Sequence, residues 1–496
     1  MPYSLKLQSR IFDLHAGTFV AVMHEDDASD LGVHSLERIE ITNIKQKRSA
    51  VAVVNITERE VKKGQIGLFE EIRRELLVKK PVQVEVKAVP ALESVSLIRK
   101  KIRGEKLSAG ELNKIVRDIN DGKISQLELS SFMTSVYIRG FDIDETTSMT
   151  KALIENGKKL ELKKTPIVDK HCIGGINGRT SLILVPIIAA AGYYIPKTAS
   201  RAITSAAGTA DSMDCIANSS ISLKKLKEIV EKTKGCIAWG GALDLAPVDD
   251  KIIKVEYPLK LDPEGQIIAS VMAKKASVGA KHVVLDIPYG PEVKVASFEK
   301  AKTLGEKFEE VGKRLGMQVK AVLTDGSMPY GNAFGPALEA RNALQILERK
   351  IFDNLAQKAC NLSGELFAMV EGCTREKGFE KAKQILQSGK ALEKMQEIII
   401  AQGGKKTSSG QVLVGKFKRQ FFAKRNGKVS KLDVMLFTVI ARESGAPADK
   451  GAGVLLAVKP GQEVKKGELL FEIFAENERK LSQALTLAEK LPAVKH

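Results

Sequence analysis

Thr165-Pro166-Ile167-Val168-Asp169-Lys170-His171-Cys172-Ile173-Gly174-Gly175-Ile176-Asn177-Gly178-Arg179-Thr180-Ser181 is the stretch whose reading decides the fold. Residues 165–168 read as a strand, the glycines as a loop that lets backbone approach a ligand, and Thr180 as the start of an apolar helix. Strand, glycine loop and helix in that order form the first half of a βαβ unit. The helix N-terminus offers free N–H groups and the positive end of its dipole to an anion. Lys170 and Arg179 add positive charge. No Gly-Lys-Ser/Thr stands at P-loop spacing, so that motif is excluded, and an ordinary tight strand–helix turn is the competing reading of the glycines.

The same rhythm repeats downstream. Tyr194-Ile195 leads to a Ser/Thr/Gly-rich loop over 198–209, residues 282–287 lead to Pro288-Tyr289-Gly290-Pro291, and residues 319–323 lead to Asp325-Gly326-Ser327. This alternation predicts an α/β core, a mixed sheet with helices, whose loops gather at the strand C-termini where ligands bind. The loop Ser200-Arg201-Ala202-Ile203-Thr204-Ser205-Ala206-Ala207-Gly208-Thr209 places four hydroxyls and one guanidinium in ten residues. Hydroxyls, N–H groups and a forked cation suit the oxygens of a phosphate. A polar loop capping the next helix is the plainer reading. Two such loops on one sheet edge favour two anion pockets, one for a phosphate on the substrate and one for free phosphate.

On either side of this core the texture changes. Residues 1–88 carry short β patterns such as Val51-Ala52-Val53-Val54 and Val82-Gln83-Val84-Glu85-Val86, which predict an N-terminal β-rich, barrel-like domain. Residues 89–160 read as a helical domain, with a later contribution from about 247–277. Leu112, Ile115, Val116 and Ile119 mark one helical face, and Ser108 stands at capping-box spacing from Glu111. Further helical stretches run over 126–139 and 146–157. The α/β domain is expected over 161–407, and a C-terminal α+β segment with hairpins over 408–496.

The chain has 496 residues, which at ~150 per domain allows roughly three domains. Hydrophobic residues make up 44% and charged residues 28%, which excludes disordered and fibrous classes. The longest apolar run, 182–194, falls short of the ~20 residues that span a bilayer, so no membrane partner is expected. Five cysteines at 172, 215, 236, 360 and 373 form no Cys-x-x-Cys, and a reduced, cytoplasmic protein is the simplest reading. The net charge of +18 invites a nucleic-acid reading, but the lysines interleave with acids and there is one Trp. Steering of a small polyanionic substrate accounts for the charge, and no nucleic-acid partner is expected. His15, His24 and His34 fit no zinc spacing, and no metal is expected. His171 and Cys172 are adjacent in an extended segment and point to opposite faces, which makes them a poor catalytic dyad.

Asp169-Lys170-His171-x-x-Gly174-Gly175, Thr180-Ser181 and Gly208-Thr209-x-Asp211 closely resemble the thymidine/pyrimidine-nucleoside phosphorylase family. The resemblance continues through Ala269-Ser270-Val271-Met272-Ala273-Lys274-Lys275 and Thr324-Asp325-Gly326, and covers most of the chain beyond about residue 90. The N-terminal domain and the stretch from Ser200 to Asp211 resemble an archaeal branch of that family. That branch splits a nucleoside 5′-monophosphate, AMP foremost, with phosphate into free base and ribose 1,5-bisphosphate. The resemblance implies a pentosyltransferase of nucleotide salvage or degradation. Inorganic phosphate would be its co-substrate, with no other cofactor, and it would work as a homodimer or larger homo-oligomer. It implies nucleotide contacts at Gly174, Ser200, Arg201, Ala202, Ile203, Thr204, Ser205, Thr209, Ser270 and Lys294. Asp262 matches the proton donor, and Lys170, His171, Ser181 and Lys274 match phosphate or substrate contacts. The family's site lies in the cleft between its helical and α/β parts. Sequence alone reads Leu261-Asp262-Pro263-Glu264-Gly265 as a plain Asp-Pro turn. To protonate a leaving base at neutral pH, an aspartate needs its pKa raised by burial or by nearby phosphate.

Two departures bear on the substrate. Cys172 stands where the nucleoside branch has serine, and Val255 falls where that branch has an arginine on the pyrimidine ring, which weakens a thymidine assignment. The alternatives are a pyrimidine-nucleoside phosphorylase, a phosphoribosyltransferase of related fold and a non-catalytic nucleotide-binding sensor.

Overall fold

Alternating buried and exposed side chains close the first six strands into a barrel. These are β1 (Ser4–Ile11), β2 (Val20–His24), β3 (Arg38–Asn43), β4 (Arg48–Thr57), β5 (Gln65–Leu68) and β6 (Gln83–Ala88), in the order β1-β5-β2-β4-β3-β6. Leu7, Met23, Ile41, Val54, Leu68 and Val86 fill the interior, one from each strand. Two short helices, α1 (Glu25–Leu31) and α2 (Glu70–Glu75), pack Leu31 and Ile72 onto the same core. The computed structural model describes residues 3–89, 92–174, 178–291, 293–490 and 493–495.

The barrel belongs to the first of two compact units, Met1–Asn156 with Pro247–Ala269. Its helices are α3 (Glu93–Ile102), α4 (Ala109–Asn120), α5 (Gln126–Arg139) and α6 (Ile143–Glu155). Ser108, Ser125 and Asp142 each close a capping box on α4, α5 and α6 respectively. The predicted stripe Leu112, Ile115, Val116 and Ile119 is buried. In the middle of the bundle Lys101 and Glu145 pair at 2.6 Å, both almost wholly buried.

The second unit is Gly157–Ala246 with Ser270–His496. It starts with β7 (Val168–Cys172), a single 3-10 turn (Gly178–Thr180) and α7 (Ser181–Ala190), a helix buried all round. There follow β8 (Ile195–Ala199), α8 (Thr209–Met213), α9 (Leu223–Thr233) and β9 (Gly235–Trp239). The chain then contributes α10 (Pro247–Leu259) to the first unit and returns along α11 (Glu264–Ser277). Next come β10 (His282–Tyr289), α12 (Phe298–Arg314), β11 (Gln318–Asp325), β12 (Ala333–Phe334), α13 (Pro336–Leu347), α14 (Asn354–Glu371), α15 (Arg375–Gln387) and α16 (Lys390–Ala401). The strands β11-β10-β7 pair in parallel, as do β8-β9, and the bridge Ile167–Tyr194 joins the two sets. A C-terminal antiparallel sheet takes strands Phe417–Phe422, Gly453–Leu456 and Leu469–Ala475 together with β12. Helices Val434–Glu443 and Glu478–Lys490 cover its core around Phe437 and Phe471.

The expected layout of an N-terminal barrel, helices, an α/β core and a C-terminal α+β piece is therefore the observed one. The strand ends of the core differ from expectation. Residues 169–172 belong to β7, where the sequence pattern ended the strand at 168, and Thr198 and Ala199 belong to β8 rather than to the following loop. The reason is that these residues, most of them polar, are buried or half-buried and paired across the sheet, so backbone pairing continues past the apolar run. β9 was not foreseen. Within the first motif, Gly175, Ile176 and Asn177 lie outside the described residues.

Candidate active site

Alternation along β7 sends its polar residues to two sides of the sheet. On one side, Asp169 takes a 2.8 Å ion pair from Lys275 of α11, and Lys275 also donates to Thr198 of β8 at 3.3 Å. His171 faces the charges of Lys275 and Lys197, and burial together with those lysines holds its imidazole well below the usual range. Lys197 on β8 donates to the carbonyl of Thr198; burial and the neighbouring Lys275 push its ammonium well down too.

On the other side, Cys172 lies across from Asp286 of β10. Burial and that carboxylate push the Cys172 thiol up to about 11, so it stays a thiol at neutral pH and serves no nucleophile's role. Asp286 pairs with Lys358 of α14 at 2.9 Å and accepts from Thr324 at 2.7 Å. Burial alone would raise its pKa, but Lys358 and Lys170 hold it below the ordinary carboxylate range. Lys170 stands 3.8 Å from Asp286, and its Nζ has no hydrogen-bond partner among the described residues.

Four buried lysines (170, 197, 275 and 358) thus surround two buried aspartates (169 and 286). Burying charge is costly unless it is balanced, and the surplus is positive. Burial and Lys275 disfavour the charge on Lys197, but the lysines still outnumber the aspartates, an excess that a bound anion would offset.

The loop after β8 is built around one carboxylate. Asp211 Oδ2 accepts from the backbone N–H of Ala202 at 2.7 Å and of Gly208 at 2.9 Å, while Oδ1 accepts from Arg201 at 3.1 Å. Arg201 also pairs with Asp214 at 2.7 Å and lies over the Trp239 ring at 4.8 Å. Its guanidinium therefore holds the loop as well as charging it. Gly208 is required here, because a Cβ would stand 2.4 Å from the Ser200 carbonyl oxygen. From the C-terminal segment, Arg442 donates to the carbonyls of Ile203 at 3.2 Å and Ser205 at 3.1 Å. Ala206 sits in the C-terminal core. Ser200, Ile203 and Thr204 are left exposed, and Thr209 is buried at the start of α8.

Gly174 has φ +103° and lies beside Lys294, whose Cβ would be 3.6 Å from a Cβ at 174, so these two expected contacts are neighbours. Ser181 is buried at the head of α7. Arg179 is also buried; it lies 3.5 Å from Glu339 of α13, whose carboxyl burial pushes up to about 7. Ser270 and Lys274 stand one turn apart on α11, both half-buried. Asp262, in the first unit, is exposed on the residues before α11. Sequence reasoning missed Lys197, Lys275, Asp286, Lys358, Asp211's role in the loop and Arg442. Among the described residues no group of His, Cys, Asp or Glu could hold a metal ion, and no helix is long and apolar enough to cross a membrane.

Residues 95–157 match the glycosyl transferase family, helical bundle domain, and residues 164–392 the a/b domain of the same family. Residues 428–494 match the pyrimidine nucleoside phosphorylase C-terminal domain. AMP phosphorylase 1 of Archaeoglobus fulgidus is 46% identical, covering 95% of this chain and 94% of its own. The chain belongs to the AMP phosphorylase family. AMP phosphorylase of Thermococcus kodakarensis is 43% identical, over 99% of this chain and 98% of its own. Among solved structures, anthranilate phosphoribosyltransferase of Thermus thermophilus superposes with a TM-score of 0.54 at 19% identity, covering 63% of this chain and 100% of its own. That likeness extends the fold, not the chemistry, beyond the AMP phosphorylase family. As a member, the chain is a glycosyl transferase.

Proposed function

We infer that this chain cleaves AMP, and other nucleoside 5′-monophosphates, with inorganic phosphate to give free base and ribose 1,5-bisphosphate. The observation that carries the reading is the surplus of buried lysines around β7 in a chain of this family. A phosphate oxygen bonds to C1′ while the N-glycosidic bond breaks, and that bond's electron pair leaves with the base. Fixed donors that hold two anions against one sugar supply the orientation and the charge stabilisation. Lys170, His171 and Ser181 are assigned to the attacking phosphate. The run from Ser200 to Ser205, with Thr209, is assigned to the 5′-phosphate; Gly174, Lys294, Ser270 and Lys274 are assigned to the rest of the nucleotide. Asp262 is assigned the proton that the leaving base takes up. General acid catalysis of this kind is worth about 10²–10⁴ in rate.

Assembly into a homodimer or larger oligomer is part of the proposal. It is supported by Leu127, Tyr137 and Ile138, all strongly exposed on α5. The five free cysteines support a cytoplasmic setting.

The test is phosphate-dependent base release from AMP, CMP, adenosine and uridine, with Asp262→Asn beside the unaltered chain. Adenine and ribose 1,5-bisphosphate from AMP, absent without phosphate and reduced at least about 100-fold in the variant, is the expected result. Reaction of adenosine or uridine but not AMP would overturn the assignment of the 5′-phosphate loop.

A further inference from the structure

Asp286 joins three elements of the second unit and is not among the residues the sequence marked. Its two oxygens have different surroundings. Oδ1 is fully engaged: Lys358 pairs with it at 2.9 Å, Thr324 donates to it at 2.7 Å, and Lys358 also donates to Thr324 at 3.0 Å. Oδ2 has no hydrogen bond and faces Lys170 Nζ across 3.8 Å, a distance too long for a hydrogen bond. Lys170, Lys358 and Asp286 are all at least nine-tenths buried, so solvent does little to screen them.

This arrangement has an electrostatic consequence. A buried carboxylate beside a single lysine would draw that ammonium into a short pair and occupy its donors. Here Lys358 takes up the carboxylate first. What reaches Lys170 is a carboxylate oxygen 3.8 Å away, and no acceptor close enough to bind it. The three N–H donors of Lys170 therefore stay available for an anion on the other side.

We propose that Lys358 is a positioning residue for phosphate binding: by occupying Asp286 it keeps Lys170 unpaired, so that Lys170 donates to phosphate instead of to the protein. This rests on the reading that Lys170 meets phosphate.

The experiment is steady-state phosphorolysis of AMP by the full chain with phosphate varied, together with calorimetric titration of inorganic phosphate, which does not depend on turnover. In Lys358→Met, Lys170 becomes the only cation beside Asp286 and closes the gap. KM and Kd for phosphate rise about tenfold, the low end of what one charge-assisted hydrogen bond is worth, while kcat at saturating phosphate changes little. Lys358→Gln, which keeps a donor and removes only the charge, gives the same result and serves if the Met variant does not fold. Adding Asp286→Asn to either variant removes the competing carboxylate and brings the phosphate constants back to within about threefold of the starting chain. A merely structural role predicts the reverse, with the double variant at least as impaired as the single one and kcat falling with stability. Unchanged phosphate constants in the single variants, or no recovery in the double variant, overturn the inference. If the unaltered chain binds phosphate but releases no adenine, the functional reading fails and the calorimetry still decides the role of Lys358.

Discussion

Asp211 is the residue whose removal tests whether the loop over 200–209 is built as described. Its Oδ2 accepts two backbone N–H groups, from Ala202 and Gly208, and its Oδ1 accepts from Arg201. In Asp211→Ala all three hydrogen bonds vanish. Arg201 keeps Asp214 at 2.7 Å, so its loss is largely compensated. The two backbone donors keep nothing in place of the carboxylate. Hydrogen bonds to a charged group are worth about 1.5–3 kcal/mol each, and because the loop is partly solvated the lower figure applies, giving about 3 kcal/mol for the pair. At about 1.4 kcal/mol per decade, the closed loop loses roughly 100-fold in population against open forms. Asp211→Asn is a graded control: an amide oxygen at the Oδ2 position keeps both backbone bonds with less charge assistance, about 1 kcal/mol in all, while the amide nitrogen in place of Oδ1 gives up the Arg201 bond as the Ala variant does. The assay is amide hydrogen exchange over 200–210 with the KM for AMP measured alongside. Exchange should quicken by about 100-fold in the Ala variant and several-fold in the Asn variant, with KM rising in the same order. Unchanged exchange in Asp211→Ala would refute the claim that this carboxylate holds the loop. Faster exchange with unchanged KM would detach the loop from the substrate.

Two further predictions concern the buried charges. Lys275→Met leaves Asp169 charged and unpaired in the core, which should cost about 3–5 kcal/mol in urea unfolding, and Asp169→Asn in the same chain should recover most of it; equal stability of Lys275→Met and the starting chain would contradict the 2.8 Å pair. Glu339, raised from 4.5 to about 7 by burial, keeps its proton in the folded chain over a pH range where the unfolded chain has lost it. Its effect on stability is therefore a loss that grows as pH rises from about 4.5 to about 7 and is constant above, and Glu339→Gln should remove that fall between pH 5 and pH 8.

What could be read directly from the sequence was local. The capping box of Ser108 and Glu111 needs only residues three apart, and the stripe from Leu112 to Ile119 needs only one helix, so both were legible. The phosphate-suited loop was legible as composition, but the carboxylate that organises it was seen only as part of a family motif, and Arg442 comes from more than 200 residues away. The buried ion pairs were hidden for the same reason: Asp169 finds Lys275 across 106 residues, and no spacing rule reaches that far. A weaker signal was nevertheless present. Asp286 interrupts Val283-Val284-Leu285 and Ile287, and Lys197 stands inside Ile195-Pro196-Lys197-Thr198-Ala199, each a charge in the middle of a strand that a parallel sheet buries on both faces. A charge in such a place is tolerated only with a partner, and there are more cations than carboxylates to go round. Read that way, these positions point from the sequence toward an anion, and the same burial explains why apolar runs alone ended β7 and β8 too early. Strands of this core extend as far as their backbones pair, which on β7 carries pairing past the apolar run through Asp169, Lys170 and His171.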